Sequence, residues 1–114
     1  MGVGLVVAAA LAPTIAAAQK PSVYYPVDRV VCDRKGRACY DPLGASVPLT
    51  RAHLGEDAAA LLAKRIEKAG KHWNPNRFVL TNGVECFVEK KACYVAVSSE
   101  QIEPVTTKAL FGGR

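Results

Sequence analysis

The sequence lacks any pair of cysteines at a spacing typical of zinc or thiol redox sites. Its four cysteines are Cys32, Cys39, Cys86 and Cys93, and six residues separate the members of each pair. Structural zinc sites usually take ligands about two to four residues apart. Redox sites of the thioredoxin type need Cys-x-x-Cys at a helix N-terminus. We therefore expect no metal, no redox centre and no cofactor.

The sequence also lacks a hydrophobic segment long enough to cross a membrane. The apolar run from Gly4 to Leu11 is too short for a spanning helix. The alanines at 16–18 fit the pattern read by signal peptidase, so we predict a cleaved signal peptide at 1–18 and export to the periplasm. The first residues carry no Lys or Arg, and the alternative is a cytosolic chain with an exposed apolar arm. Gln19 would begin the mature chain, which leaves no N-terminal cysteine for lipid attachment.

Histidine is scarce, which bears on catalysis. His53 and His72 have no Ser, Cys or carboxylate at a spacing known from catalytic sites. His53 falls in a first helical turn and His72 just beyond a helix end, where solvated or capping roles are ordinary. We predict no catalytic residues and expect that the protein is not an enzyme.

Positive charge exceeds negative charge, with 15 Lys and Arg against 10 Asp and Glu and a net charge of +5. The predicted signal peptide is uncharged, so the excess lies in the mature part. Such an excess favours contact with anionic surfaces such as lipopolysaccharide, teichoic acid or nucleic acid. Charges on hairpin turns also serve solubility and prevent edge pairing, and nucleic acid is not expected as a partner. The candidate anion-binding residues are Arg34, Lys35, Arg37, Lys64, Lys68, Lys71, Lys90 and Lys91.

Two stretches of the sequence resemble one another, "VVCDRKGRACYD" at 30–41 and "VECFVEKKACYV" at 84–95. Each has two cysteines around a central turn-like dipeptide, and Gly36 could adopt a positive φ there. The two cysteines of each stretch are equally far from its central dipeptide, so they should face each other across a hairpin. We therefore predict two hairpins, each closed by its own disulfide. Pairing between the hairpins, Cys32 with Cys86 and Cys39 with Cys93, remains the alternative. An even number of cysteines is typical of an oxidising compartment.

A helical pattern lies between these hairpins. Thr50 is a candidate N-cap, Gly55 is expected to interrupt the pattern, and the main helix is predicted from Glu56 to about Lys68. The Asn82-Gly83 turn adds a strand before the second hairpin, giving a meander over about 77–97. Arg65 falls within the apolar stripe of the helix, so we expect its stem to pack there and its head to reach water or a carboxylate.

These elements predict an α+β fold: a small antiparallel sheet built from two disulfide-clipped hairpins and packed by one main helix. A single domain is expected over 19–97. Residues 98–114 contain a proline and end in "FGGR", so we expect a loosely ordered C-terminal tail.

Three motifs carry a family resemblance: "VVCDRKGRACYD", "SVPLTRAHLGEDAAALL" and "FVLTNGVECFVEKKACYV". In this order they resemble the Fels-1 prophage protein-like family, the small exported YcgJ-type proteins of Gram-negative bacteria. The resemblance implies a periplasmic protein with disulfides, without an assigned activity or catalytic residues.

The function favoured by these observations is non-catalytic binding in the periplasm or association with the envelope. The alternative is an inhibitor or immunity protein that blocks a secreted enzyme, since small disulfide-linked sheets present rigid loops. Lysozyme is disfavoured as its target, because a basic chain does not complement a basic enzyme.

Non-reducing peptide mapping of the exported protein tests the disulfide pairing. We expect Cys32 joined to Cys39, Cys86 joined to Cys93, and no free thiol. Losing one bridge should lower the free energy of unfolding by about 2–3 kcal/mol without abolishing the fold, because each closed loop is short. A peptide joining the regions of Cys32 and Cys86, or four alkylatable thiols, would contradict the prediction.

Overall fold

The computed structural model describes residues 20–112, so the predicted signal peptide lies outside the described part. The first sheet, sheet 1, has the antiparallel strands β1 (Val23–Tyr24), β2 (Val31–Asp33), β3 (Ala38–Asp41) and β4 (Gly44–Ser46). Two helices follow, α1 (Val47–Leu54) and α2 (Glu56–Ala69), with a 3-10 turn at Gly70–His72. Sheet 2 contains β5 (Arg77–Val79), β6 (Glu85–Phe87) and β7 (Ala92–Tyr94), and helix α3 (Pro104–Phe111) completes the chain. The α+β class is confirmed, with the two hairpins in separate sheets instead of one.

Both hairpins are closed by local disulfides, Cys32–Cys39 and Cys86–Cys93, and each pair occupies directly facing strand positions. All four cysteines are fully buried. Each hairpin loop has four residues, 34–37 and 88–91, between the last paired positions. Buried disulfides of this kind indicate an oxidising, exported environment.

The residue with positive φ in each turn is basic, which corrects the expectation for Gly36. Arg37 has φ 57° and Lys91 has φ 52°, at equivalent places in the two hairpins. Gly36 is needed for space instead: a Cβ there would lie 3.0 Å from an Asp33 carboxylate oxygen. The Gly36 N–H donates to that same carboxylate at 3.1 Å.

The helix boundaries follow the sequence signals with one change at the start. Ser46 is the N-cap of α1, because its hydroxyl accepts a hydrogen bond from the Leu49 N–H at 3.2 Å. The prediction of Thr50 as N-cap is therefore wrong, and Thr50 lies buried inside α1. Gly55, with φ 98°, separates α1 from α2, as predicted. Within residues 20–112, no helix is both long enough and apolar enough to cross a membrane.

The C-terminal segment differs from the loose tail expected for 98–114. The Glu103 carboxylate caps α3 by accepting from the backbone N–H groups of Val105 and Thr106, each at 2.9 Å. Pro104 occupies the first helical turn, where its missing N–H costs nothing. Leu110 is fully buried in the central core, so the packed domain extends beyond residue 97.

The internal repeat is larger than the cysteine hairpin. Unit 1 (residues 23–54) and unit 2 (residues 77–111) each consist of an antiparallel sheet followed by a helix with proline in its first turn. In unit 1 the Thr50 hydroxyl accepts from the Cys39 N–H at 2.8 Å. In unit 2 the Thr107 hydroxyl accepts from the Cys93 N–H at 2.8 Å. The same buried contact therefore joins helix to hairpin twice.

The two sheets pack face to face with different faces in contact. The face of sheet 1 that carries Val31 and Tyr40 lies in one core cluster with Cys86 and Cys93 of sheet 2. The Tyr40 and Phe78 rings stack there with centroids 4.0 Å apart. The cysteine face of sheet 1 lies in a separate cluster, against Leu49 and Leu54 of α1. The cysteine face of sheet 2 is therefore in the core, and its opposite face is directed towards solvent.

The carboxylate of Asp33 joins the two units. It is fully buried and accepts hydrogen bonds from the Ser22 hydroxyl, the Gly36 N–H and both the N–H and the hydroxyl of Thr81. Burial is the largest single influence and raises the pKa of Asp33. The four hydrogen bonds, led by those from Thr81, outweigh it and hold that pKa below its usual range.

Replacing either helix threonine by valine should destabilise the protein by about 2 kcal/mol, because a buried cysteine N–H then loses its acceptor. Thr50→Val and Thr107→Val remove the hydroxyl with little change of shape. Thr50→Ser and Thr107→Ser keep the hydroxyl and are the matched controls. Urea unfolding of the oxidised protein measures the effect. Equal losses in the Val and Ser variants would show that the hydroxyl contact contributes little.

Acid stability tests the role of Asp33. Its folded pKa lies below the unfolded value of about 4, so its contribution is present above that pH and is lost as pH falls through the folded pKa. Asp33→Asn should lower the free energy of unfolding at neutral pH by about 3 kcal/mol and make its fall below about pH 4 shallower. Asp57→Asn, which removes an exposed carboxylate, is the control. Parallel acid profiles for Asp33→Asn and wild type would contradict this role.

Candidate functional site

The side chains opposite the disulfide of sheet 2 form a surface that we call the open face. It comprises Arg77, Val79, Glu85, Phe87 and Tyr94. Successive strand residues point to opposite sides of a sheet, so Glu85 and Phe87 flank Cys86 and project away from it. Val79 is 38% exposed, and Phe87 and Tyr94 are half-buried. The open face therefore combines apolar surface at the solvent boundary with a buried charge.

Glu85 supplies that charge. It is 4% exposed, forms an ion pair with Arg77, and accepts the Ser98 N–H at 3.0 Å. The hydrogen bond from Ser98 is the largest influence on the pKa of Glu85; burial opposes it, and Arg77 and Lys90 add to it, so the pKa lies below its usual range. In the strand pairing, Glu85 occupies the position held by the core residue Val31 in unit 1. A position that is apolar in one unit is thus an ionised carboxylate in the other.

Phe87 and Tyr94 form an aromatic corner above this carboxylate. Their ring centroids are 5.8 Å apart and their planes meet at 71°. The Lys90 Nζ lies 4.6 Å from the Phe87 centroid and 5.7 Å from the Tyr94 centroid. These distances are within the range of cation–π attraction, which is about 6 Å. The corner therefore already holds one ammonium group, supplied by the turn of the same hairpin.

A cavity of about 400 Å³ lies beside the corner. Its walls are Glu85, Phe87, Lys90, Tyr94, Ser98, Ser99 and Glu100. The loop that closes it begins at Ser98, whose φ of 65° is unusual for a residue other than glycine. That conformation accompanies the hydrogen bond from the Ser98 N–H to Glu85. The arrangement offers aromatic faces, one cation and two carboxylates, which are groups for binding.

The predicted anion-binding residues lie on both hairpin turns, on α2 and on the 3-10 turn. Near the first hairpin turn, the Arg34 guanidinium lies 3.8 Å from the Tyr24 ring centroid and donates to the Pro21 carbonyl at 2.7 Å. Arg65 of α2 is exposed and donates to the Gly36 carbonyl at 3.1 Å, a backbone partner additional to the water or carboxylate expected for it. Lys35 and Arg37 are exposed in the same hairpin turn. The exposed members Lys64 and Lys68 belong to α2, and the exposed Lys71 belongs to the 3-10 turn that follows it.

The remaining two members, Lys90 and Lys91, belong to the other hairpin, and Lys90 lies over the aromatic corner. Anion binding by the whole set stays a prediction. His53 is in α1 and His72 in the 3-10 turn that follows α2, so they lie on different elements. Among residues 20–112, no group of three or more His, Cys, Asp or Glu is placed to hold a metal ion.

Glu85, Phe87 and the loop at 98–100 are site residues that the sequence did not predict. One signal for the first two was present in the sequence. In "VECFV", a charged and an aromatic residue alternate around Cys86, so both had to share the face opposite the disulfide. The loop has no such signal, because its position depends on the long-range hydrogen bond from the Ser98 N–H to Glu85.

Comparisons with known proteins agree on one family. The chain matches the YcgJ protein family over residues 23–111. It is 38% identical over 93 residues to a protein of Escherichia coli strain K12 with the name "Uncharacterized protein YcgJ", covering 75% of this chain and 70% of that protein. No solved structure matches the chain significantly. The YcgJ-type resemblance is thus confirmed, and the link to a prophage protein stays a prediction. On this match, which includes both disulfide hairpins and α3, the chain belongs to the YcgJ family.

Proposed function

We propose that this protein is a non-catalytic binding protein of the periplasm that associates with the cell envelope through its open face. The contrast between the two units carries the proposal. In unit 1, the face with Val31 and Tyr40 is filled by packing against sheet 2. In unit 2, the equivalent face keeps Phe87 and Tyr94 half-buried beside a cavity. Partly exposed aromatic residues around a few placed polar groups are typical of binding sites.

The state of the buried acids favours binding over acid–base catalysis. Within residues 20–112, the buried carboxylates are Asp33 and Glu85. Both have a pKa below the usual range, and both are held by hydrogen bonds. A general acid or base is most effective when its pKa lies near the working pH, which is the opposite tuning. The two carboxylates therefore suit a role as permanent negative charges, which is a role in structure and binding.

The compartment and the charge support an envelope location. Two buried disulfides suit an oxidising compartment, and the predicted signal peptide at 1–18 would deliver the chain to the periplasm. The net charge of +5 would attract the protein to anionic envelope surfaces. In this proposal the basic residues of the first hairpin and α2 provide the attraction, and the open face provides the specific contact. The prophage association implied by the resemblance is part of the same hypothesis.

Expression of the full chain in Escherichia coli tests both parts of the proposal. The protein recovered from the periplasm should begin at Gln19, as N-terminal mass spectrometry would show. It should sediment with purified envelope fragments, and Phe87→Ser with Tyr94→Ser should reduce retention about tenfold, because the aromatic contact is lost.

Leu43→Ser is the matched control, because Leu43 is 80% exposed and lies outside the open face. Retention that persists in the double variant would contradict the proposal. So would retention that disappears only when Arg34, Lys35 and Arg37 are replaced by serine, since charge alone would then explain it.

A further inference from the structure

The aromatic corner of the open face is occupied by a cation of the protein itself. The Lys90 ammonium lies over the ring faces of both Phe87 and Tyr94 and lowers the pKa of Glu85 through its charge. Two aromatic faces at an angle with a carboxylate nearby are the groups that recognise alkylammonium ions. The position of Lys90 thus indicates that this corner favours an ammonium group.

Lys90 is an exchangeable occupant. It is exposed at the tip of the 88–91 turn, and its ammonium group ends a flexible four-carbon stem. Glu85 accepts hydrogen bonds from Arg77 and Ser98, so departure of Lys90 leaves those contacts intact. Lys90 can therefore swing into water without disrupting the hydrogen bonds that hold the buried carboxylate.

The cavity next to Lys90 extends the cation site. With Lys90 swung away, its walls present Phe87, Tyr94, Glu85 and Glu100 together with two serines. A carboxylate has about four lone-pair positions, so Glu85 keeps acceptor capacity beyond its two partners. A volume of about 400 Å³ has room for an ammonium group and the alkyl chain behind it. An anionic ligand would meet two carboxylates in this cavity.

We propose that this cavity binds the alkylammonium group of a ligand in exchange for Lys90, which acts as an internal competitor. The inference rests on the proposed binding function of the open face and names the ligand group. The ammonium lies against Phe87 and Tyr94, and Glu100 pairs with it from the loop side. The group can come from a free polyamine or from a lysine side chain of a protein.

Titration of the mature protein followed by NMR tests the exchange, with spermidine as one probe and N-acetyl-lysine methylamide as the other. Ring currents of Phe87 and Tyr94 should shift the Lys90 ε-methylene protons upfield in the free protein. Saturation with either probe should move these signals towards their random-coil positions, because Lys90 leaves the rings. Tighter binding of spermidine would indicate a polyamine source, and tighter binding of the lysine derivative would indicate a protein source.

Removal of the internal competitor gives the sharper comparison. Lys90→Ser should bind the tighter probe about tenfold more strongly, which corresponds to the loss of one competing cation–π contact. Lys91→Gly is the matched control: it removes the same charge from the same turn, and glycine suits its φ of 52°. Its affinity should stay within about twofold of wild type. Glu100→Gln should weaken binding about threefold.

Two outcomes would overturn the inference. One is a lack of saturable binding of both probes to Lys90→Ser at millimolar concentration. The other is an equal gain from Lys91→Gly, because the effect would then be one of net charge. If neither amine binds while Phe87→Ser with Tyr94→Ser still reduces envelope retention, the ligand group is wrong and the proposed function stands. If neither amine binds and the double variant keeps its envelope retention, the proposed function is wrong too.

Discussion

The Asp33 carboxylate is the contact on which the arrangement of the two units depends. It accepts hydrogen bonds from three separate segments: Ser22 near β1, Gly36 in the first hairpin turn, and Thr81 in the turn between β5 and β6. A buried carboxylate is tolerated only when its acceptors are filled, so all three segments must be in place at once. Asp33 lies two residues from Val31 and shares its face of sheet 1, so the bonds to Thr81 hold this face against unit 2.

The features that could be predicted from the sequence are those determined by nearby residues. Local backbone preferences determine the two hairpins, the break at Gly55 and the Asn82-Gly83 turn. They also determine the end of the main helix, predicted at about Lys68 and observed at Ala69. The helix α3 was missed for a physical reason. Its stability comes from Leu110 in a core formed by distant strands, and its eight residues are too few for a stable isolated helix.

The candidate site was less predictable than the fold. Alternation alone placed Glu85 and Phe87 on one face, whereas the position of Lys90 over the rings depends on the shape of the four-residue turn. The division into two sheets also lay beyond local signals. It accompanies core packing between residues far apart in the sequence, such as the stacked rings of Tyr40 and Phe78. Sequence patterns therefore identified the components, and long-range packing decided which of them form a surface.

The packing of the two similar units through unlike faces has a consequence for their tolerance of substitution. One face of unit 2 does not have to fit a neighbouring sheet, whereas the equivalent face of unit 1 does. A residue on that face of unit 2 can differ from its counterpart without opening a cavity in the shared core, as Glu85 in the place of Val31 illustrates. A structural repeat of this kind therefore assigns holding the fold together to one unit and leaves the other with a surface of its own.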